Sequence, residues 1–290
     1  MKPFDLLSLV EIDAQLIEKL ATRACQLQVH WQNRTMPQTL QGRRVGMIEE
    51  LPGWRNPTAL AIGVTAMGGS CVSASAKLEG AETVDDLAGY MDNWFDLMAV
   101  RTPRLSKLRS FADALKAPAL NLRTNDNHPC EVLGDLAYVM SVRGSWNGLQ
   151  VAMVGPSGNI ASSWFEAARV LGIDVLQVTP KGFEASEQVR GSCDVTDDIR
   201  AIEGTDLIVT DCWPSDLDAD GADAFQKCRI EAAILNRCKD DALFVPCPPV
   251  TRGQEVSDDA MRHSACAATP AKAFLLHTQN AYVEEAIESV

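Results

Sequence analysis

Two residues of this chain stand out for chemistry: an arginine that closes one apolar run and a histidine that follows the next. Arg101-Thr102 comes directly after Ala99-Val100, and His128-Pro129-Cys130-Glu131 follows the apolar residues 119–121. Arginine offers five N–H donors and a permanent charge, which suit phosphate or carboxylate. His128 precedes a proline that fits the first position of a helix. The positive end of the helix dipole there favours a neutral imidazole, which can donate to a carbonyl oxygen without titrating. A later run, 151–154, ends in Gly155-Pro156-Ser157-Gly158-Asn159, a turn that lets Asn159 face a ligand. An arginine and a histidine at the ends of consecutive strands can converge on one anionic carbonyl compound, with the glycine turn closing over it. That combination points to transfer chemistry between two lobes. Taken singly, each residue also fits a plainer role: a surface salt bridge for Arg101, a helix cap for His128, and helix-dipole complementation for Glu131.

Two further stretches follow apolar runs. Asp211-Cys212-Trp213-Pro214-Ser215 comes after 207–210, where Asp211 can hold an ammonium group or cap a helix. Pro246-Cys247-Pro248-Pro249 comes after 243–245, and its prolines force irregular backbone with free carbonyls. Cys247 is a candidate nucleophile, although no histidine neighbours it in sequence. Arg252 is a further cationic candidate, with a surface charge as the alternative. The Gly155 turn lacks the third glycine of a dinucleotide fingerprint, and the next strand ends in Thr179-Pro180 without an acidic ribose anchor, so NAD binding is not expected. No H-E-x-x-H, Cys/His cluster or G-x-S-x-G is present, so neither a metal nor another cofactor is expected.

These residues must be positioned by a regular frame. Apolar runs at 44–48, 70–74, 97–100, 119–121, 151–154, 175–178, 207–210 and 243–245 read as strands. Helix-like stretches fall between them, at 57–67, 84–93, 105–115, 131–141, 160–171 and 222–236. This alternation predicts an α/β fold with parallel sheets flanked by helices. The Gly- and Ser-rich segment 141–148 separates two such runs, which predicts lobes over 1–143 and 144–265. The remaining 266–290 forms a C-terminal helix that packs back onto the first lobe. A length of 290 residues suits two domains, and a hydrophobic content of 46% supplies ordinary cores. The net charge of −13 argues against a nucleic-acid partner, which requires a basic face. No run approaches the ~18 apolar residues of a membrane helix, and the first residues carry no signal-peptide pattern. Nine scattered cysteines without C-x-x-C point to reduced thiols in a cytoplasm.

In order, these segments resemble the ornithine/aspartate carbamoyltransferase family, and its ornithine branch most closely. Gln41–Ile48 resembles the first strand of that family, and residues 98–102 its arginine-bearing strand end. His128-Pro129-Cys130-Glu131-Val132-Leu133-Gly134-Asp135 is similar to H-P-x-Q-x-L-A-D, Asp211-Cys212-Trp213 to D-x-W, and Cys247-Pro248-Pro249 with Arg252-Gly253 to H-C-L-P and R-G. Five motifs in family order are specific for the fold. The resemblance implies a carbamoyl-phosphate-type first domain and an amino-acid-binding-type second domain, with the active site in the cleft between them. It also implies a homotrimer in which a loop of one subunit enters its neighbour's site. Donor binding then falls to Arg55, Asn56, Thr102, Glu131 and Lys77, and acceptor binding to Asn159, Asp211 and Ser215. Arg101, His128, Cys247 and Arg252 occupy the catalytic positions. The reaction implied is carbamoyl transfer from carbamoyl phosphate, or another anionic donor, to an amino compound by positioning and electrostatics.

The departures from the pattern are concentrated in donor binding. Gly53-Trp54-Arg55-Asn56-Pro57 stands where the family has S-T-R-T-R, keeping only Arg55. Glu131 replaces a glutamine, and Pro246 replaces the histidine of H-C-L-P. Each lost donor to a charged group is worth ~1.5–3 kcal/mol, so the losses amount to decades of phosphate affinity. Asp216 stands where S-M-G has methionine, which argues against ornithine as the acceptor. Lys77 lies in the stretch that matches the loop entering the neighbouring subunit, and it would restore one positive charge. Three readings follow. The first is a transferase with an altered donor or acceptor. The second is a non-catalytic paralogue or assembly partner. The third is an enzyme joining an amine to another carbonyl or unsaturated acid without phosphate, with Glu131 as acid or base.

Overall fold

A computed structural model of the chain describes residues 4–288. Among the described residues nine strands form two fully parallel sheets. The first contains β1 (Arg44–Glu49), β2 (Ser70–Ala74), β3 (Leu97–Arg101) and β4 (Ala119–Arg123), in the order β2-β1-β3-β4. The second contains β5 (Gln150–Val154), β6 (Asp174–Val178), β7 (Asp194–Thr196), β8 (Leu207–Thr210) and β9 (Leu243–Pro246), in the order β7-β6-β5-β8-β9. The helices are α1 (Ala14–Gln32), α2 (Arg55–Ala66), α3 (Val84–Asp92), α4 (Leu105–Ala114), α5 (Pro129–Arg143), α6 (Asn159–Leu171), α7 (Glu187–Arg190), α8 (Ala219–Gln226), α9 (Ala232–Leu235) and α10 (Ala268–Glu288). Among the described residues no helix is long and apolar enough to cross a membrane. All nine cysteines are free thiols.

The chain divides into two compact units. Residues up to Gly144, together with Lys272 onward, form the first, and Ser145–Ala271 the second. The first division falls one residue beyond the expected 143. The second falls at 271 rather than 265, so the return to the first unit begins inside α10. Gly144 closes α5 with φ 74°, a left-handed conformation that glycine adopts without strain.

Central strands explain the continuous apolar runs. All five residues of β3 are buried, as a parallel strand covered on both faces requires. In the first unit Ile48, Met98, Val100, Leu108 and Phe111 belong to one core cluster. In the second, Val154, Ile202, Ile208, Ile234 and Phe244 belong to another. Strand order turns between β1 and β3 in one sheet and between β5 and β8 in the other. Open α/β sheets bind ligands at the carboxyl ends of strands where the order turns.

Two expectations need correction. The single helix expected over 222–236 is broken into α8 and α9, because Ile230 leaves the helical path. Its N–H donates to the Glu255 carbonyl at 3.0 Å, and its own carbonyl accepts from the Ser257 N–H at 2.9 Å. Strand β7 was not foreseen: it has only three residues, two of them exposed, and no apolar run marks it.

Candidate functional site

At the carboxyl edge of the first sheet, Arg101 is the last residue of β3 and only 6% exposed. Its Nε donates to the Leu51 carbonyl at 3.2 Å and its Nη2 to the Pro52 carbonyl at 2.6 Å, which fixes the guanidinium against the loop after β1. Gly53 has φ 140°, and a Cβ there would overlap the Arg101 guanidinium. Glycine at 53 therefore serves both a backbone conformation closed to other residues and a close approach. The plainer reading of Arg101 as a surface salt bridge does not hold, since it is buried and bonded to carbonyls.

Arg55 opens α2 and is half-buried, its guanidinium carbon 5.1 Å from the centre of the exposed Trp54 ring. No side chain caps this helix, so its first N–H groups remain available to an anion. Thr102 is buried, and its hydroxyl donates to Glu50, whose other carboxylate oxygen accepts from the Leu78 N–H at 2.9 Å. Thr102 is thus committed to holding the 77–80 loop, a role the sequence did not suggest. Lys77, beside that anchor, is exposed.

His128 sits at the N-cap of α5 but makes no side-chain cap bond, so the helix-cap reading fails. It is buried, with Nε2 3.5 Å from Asn56 Nδ2 and 3.6 Å from Glu131 Oε2. Burial pushes its pKa down to about 4; Glu131 resists the fall, while Arg101, Arg123 and Lys272 add to it. The neutral imidazole expected from the sequence is found, with desolvation rather than the helix end as its main cause.

Beneath His128 lies a buried polar network that reaches α10. Asn56 accepts from Gln279 Nε2 at 2.6 Å. Lys272 Nζ is 2.9 Å from Glu131 Oε1 and 2.6 Å from Asp135 Oδ1. Burial opposes the charge on Glu131, and the Lys272 ammonium overcomes it, holding that carboxyl at about 2. Burial pushes Asp135 up to about 7, with Lys272 opposing and Glu131 reinforcing the rise. One ammonium between two carboxylates thus keeps Glu131 ionised and leaves Asp135 carrying a proton in mild acid.

At the corresponding edge of the second sheet, Gly155 has φ 149°, and a Cβ there would press on the Asp211 backbone at 3.3 Å. Asp211 is half-buried; its Oδ1 accepts from the Cys212 N–H at 2.9 Å, and its Oδ2 would lie 3.5 Å from a Cβ on Gly158. Asn159 opens α6 and is half-buried. The structure therefore brings the Gly155 turn and Asp211 together. Ser215 is exposed. Trp213 packs on Phe225 with ring centres 5.5 Å apart. Cys247 is buried, with Sγ 3.9 Å from the Pro248 carbonyl oxygen. Arg252 is exposed and paired with Asp258 at 2.9 Å, which fits its alternative reading as a surface charge.

Sequence reasoning missed four members of these sites: Glu50, Arg123, Lys272 and Gln279. Arg123 ends β4 in ladder register with Arg101, a signal that the strand pattern contains but that motif matching passes over.

The comparisons with known proteins agree over both units. Residues 5–141 match the family described as "Aspartate/ornithine carbamoyltransferase, carbamoyl-P binding domain", and residues 147–284 match "Aspartate/ornithine carbamoyltransferase, Asp/Orn binding domain". An ornithine carbamoyltransferase of Paracidovorax citrulli is 30% identical over 287 residues, covering 94% of this chain and 93% of the relative. The ornithine carbamoyltransferase structure from Burkholderia thailandensis superposes with a TM-score of 0.90 at 27% identity, covering 98% of each chain. The structure from Pyrococcus furiosus superposes with a TM-score of 0.92 over 99% of this chain and 98% of that one; at 24% identity it speaks to the fold alone.

Proposed function

The chain belongs to the aspartate/ornithine carbamoyltransferase family, and from that premise we propose that it transfers a carbamoyl or related acyl group from an anionic donor to an amino-group acceptor other than ornithine. The observation that carries this reading is the edge of the first sheet. There Arg55, Arg101 and Arg123 have no ion-pair carboxylate among the described residues, although the chain has 39 acidic residues. Cations with no carboxylate in ion-pair contact, beside an uncapped helix start, are suited to phosphate.

In this reading Arg55, Asn56 and the first turn of α2 hold the donor phosphate, and Lys77 of a neighbouring copy adds a charge in a trimer. Arg101 and neutral His128 donate to the carbamoyl oxygen as negative charge develops on it. Glu131 accepts from the carbamoyl amide. The acceptor amine, held through Asp211, Asn159 and Ser215, attacks the carbamoyl carbon. The new C–N bond forms as the C–O bond to phosphate breaks, and the phosphate departs with the bonding electrons and takes up the proton that the amine nitrogen sheds. Cys247 lines the acceptor side and forms no covalent intermediate. The free thiols accord with a cytoplasmic setting.

Asp216 in the place of methionine supports an acceptor other than ornithine. The rival reading, with Glu131 as general acid, is weakened because Lys272 keeps that carboxyl ionised. The test is thermal stabilisation by carbamoyl phosphate and by inorganic phosphate, since a ligand bound to the folded state raises stability by mass action. A rise with carbamoyl phosphate is expected, and no rise with either ligand would refute the donor assignment.

A further inference from the structure

Arg123 has a setting that no carbamoyl-transfer role assigned above uses. It is the last residue of β4, and its carbonyl accepts from the Thr102 N–H at 3.1 Å. The ladder places it opposite Arg101. Its side chain is half-buried, and among the described residues it has neither an ion-pair carboxylate nor a side-chain hydrogen bond. The half-buried Arg23, Arg190 and Arg229 differ: each has a glutamate, Glu284 at 2.6 Å, Glu187 at 3.6 Å and Glu231 at 2.5 Å. Arg123 is also near enough to lower the pKa of both Arg101 and His128. Holding two guanidiniums side by side and partly out of water costs free energy unless an anion joins them. In so acidic a chain, a pair without a carboxylate leaves that place open to a ligand.

We propose that Arg123 is a specificity-determining, substrate-binding residue which, with Arg101, clamps an oxyanion of the bound substrates. The oxyanion is either the phosphate of the donor or an additional carboxylate on the acceptor. The inference rests on the transfer reading and refines it. A second guanidinium at this edge disfavours a cationic acceptor and favours an anionic one.

The test uses the full-length protein and the variants Arg123→Met and Arg123→Lys, titrated with inorganic phosphate, carbamoyl phosphate and succinate. Charge-assisted pairing of this kind corresponds to a roughly 10- to 100-fold loss of affinity on removal. Arg123→Met is expected to show that loss for at least one of the three probes, with Arg123→Lys recovering most of it. The ligand-free melting temperature of Arg123→Met should not fall, since the change removes an unpaired charge. A loss confined to phosphate and carbamoyl phosphate assigns the clamp to the donor, and one confined to succinate assigns it to the acceptor. Affinities within twofold of the unsubstituted protein for all three probes overturn the proposal, as does an unsubstituted protein that binds none of them. Oxyanion binding that depends on Arg123 without any amine-dependent turnover of carbamoyl phosphate would instead overturn the transfer reading and leave the clamp standing.

Discussion

Lys272→Met is the most informative perturbation of the buried network. Its ammonium lies 2.9 Å from Glu131 and 2.6 Å from Asp135, and the three side chains are 10%, 6% and 2% exposed. Removing the cation strands two carboxyls one helical turn apart in a site closed to water. Breaking a buried pair in this way costs about 3–5 kcal/mol. Each kcal/mol moves the melting temperature by roughly 2–4 °C, so a fall of roughly 6–20 °C is expected near pH 8. The pH dependence has a definite sign. Without Lys272 both carboxyls have folded-state pKa values above their unfolded ones, so the stability of the protonated forms is present in acid and lost as pH rises. In the parent protein Glu131, held at about 2, behaves in the opposite sense. The deficit should therefore be small near pH 4–5 and grow towards pH 8. Glu131→Gln should be mild, because Lys272 keeps Asp135 as its partner. The double variant Glu131→Gln/Lys272→Met should melt above Lys272→Met alone, giving a coupling of the sign expected for residues in contact. Intrinsic tryptophan fluorescence on heating would follow all four proteins. A Lys272→Met protein that melts within about 2 °C of the parent at pH 8, or a deficit that does not shrink in acid, would refute the ion-pair account.

Three further outcomes are expected. Gly53→Ala should displace the Arg101 guanidinium and weaken carbamoyl phosphate binding by about 10- to 100-fold, equivalent to roughly 1.4–2.8 kcal/mol, as read by calorimetric titration; unchanged affinity would show that the close approach is unimportant. His128→Gln should lower turnover by about 10²–10³-fold. Because its pKa is near 4, the parent rate should show no inflection from this imidazole near pH 6.5, and a bell limb abolished by the variant would contradict its neutral role. His277 is also held neutral by burial, at about 4. The unfolded chain takes up its proton in the usual histidine range while the folded one does so only near 4, so this residue destabilises the fold as pH falls from about 6.5 to 4. His277→Phe should flatten the melting-temperature profile over that window, and a profile parallel to the parent would count against it.

The frame was legible because central parallel strands are buried on both faces and read as apolar runs. That pattern located Arg101 at the end of β3 and the Gly155 turn after β5. The Pro129 signal placed the start of α5 and with it His128. The exposed, three-residue β7 carries no such signal, and the break between α8 and α9 depends on Ile230 pairing with residues 255–257. The site was less legible than the frame. Lys272 lies 137 residues from Asp135 in the chain, and only folding shows that it neutralises Glu131. Glutamate in a place where the family motif has glutamine reads from sequence as lost function; with its lysine in view it is half of a charge pair. Thr102 looked like a ligand donor by position, whereas the bond to Glu50 shows it anchoring a loop. Arg123 was passed over because family motifs frame it on both sides without including it.

The account stands or falls on amine-dependent transfer. The most direct measurement supplies carbamoyl phosphate labelled in its carbonyl carbon to the full-length protein with a panel of amino acids, ornithine and acidic ones included, and follows the label into acid-stable product. The account predicts label transfer that requires both protein and amine, with an acceptor other than ornithine giving the highest kcat/KM. No amine-dependent label with any acceptor, or ornithine as the best of the panel, would contradict it.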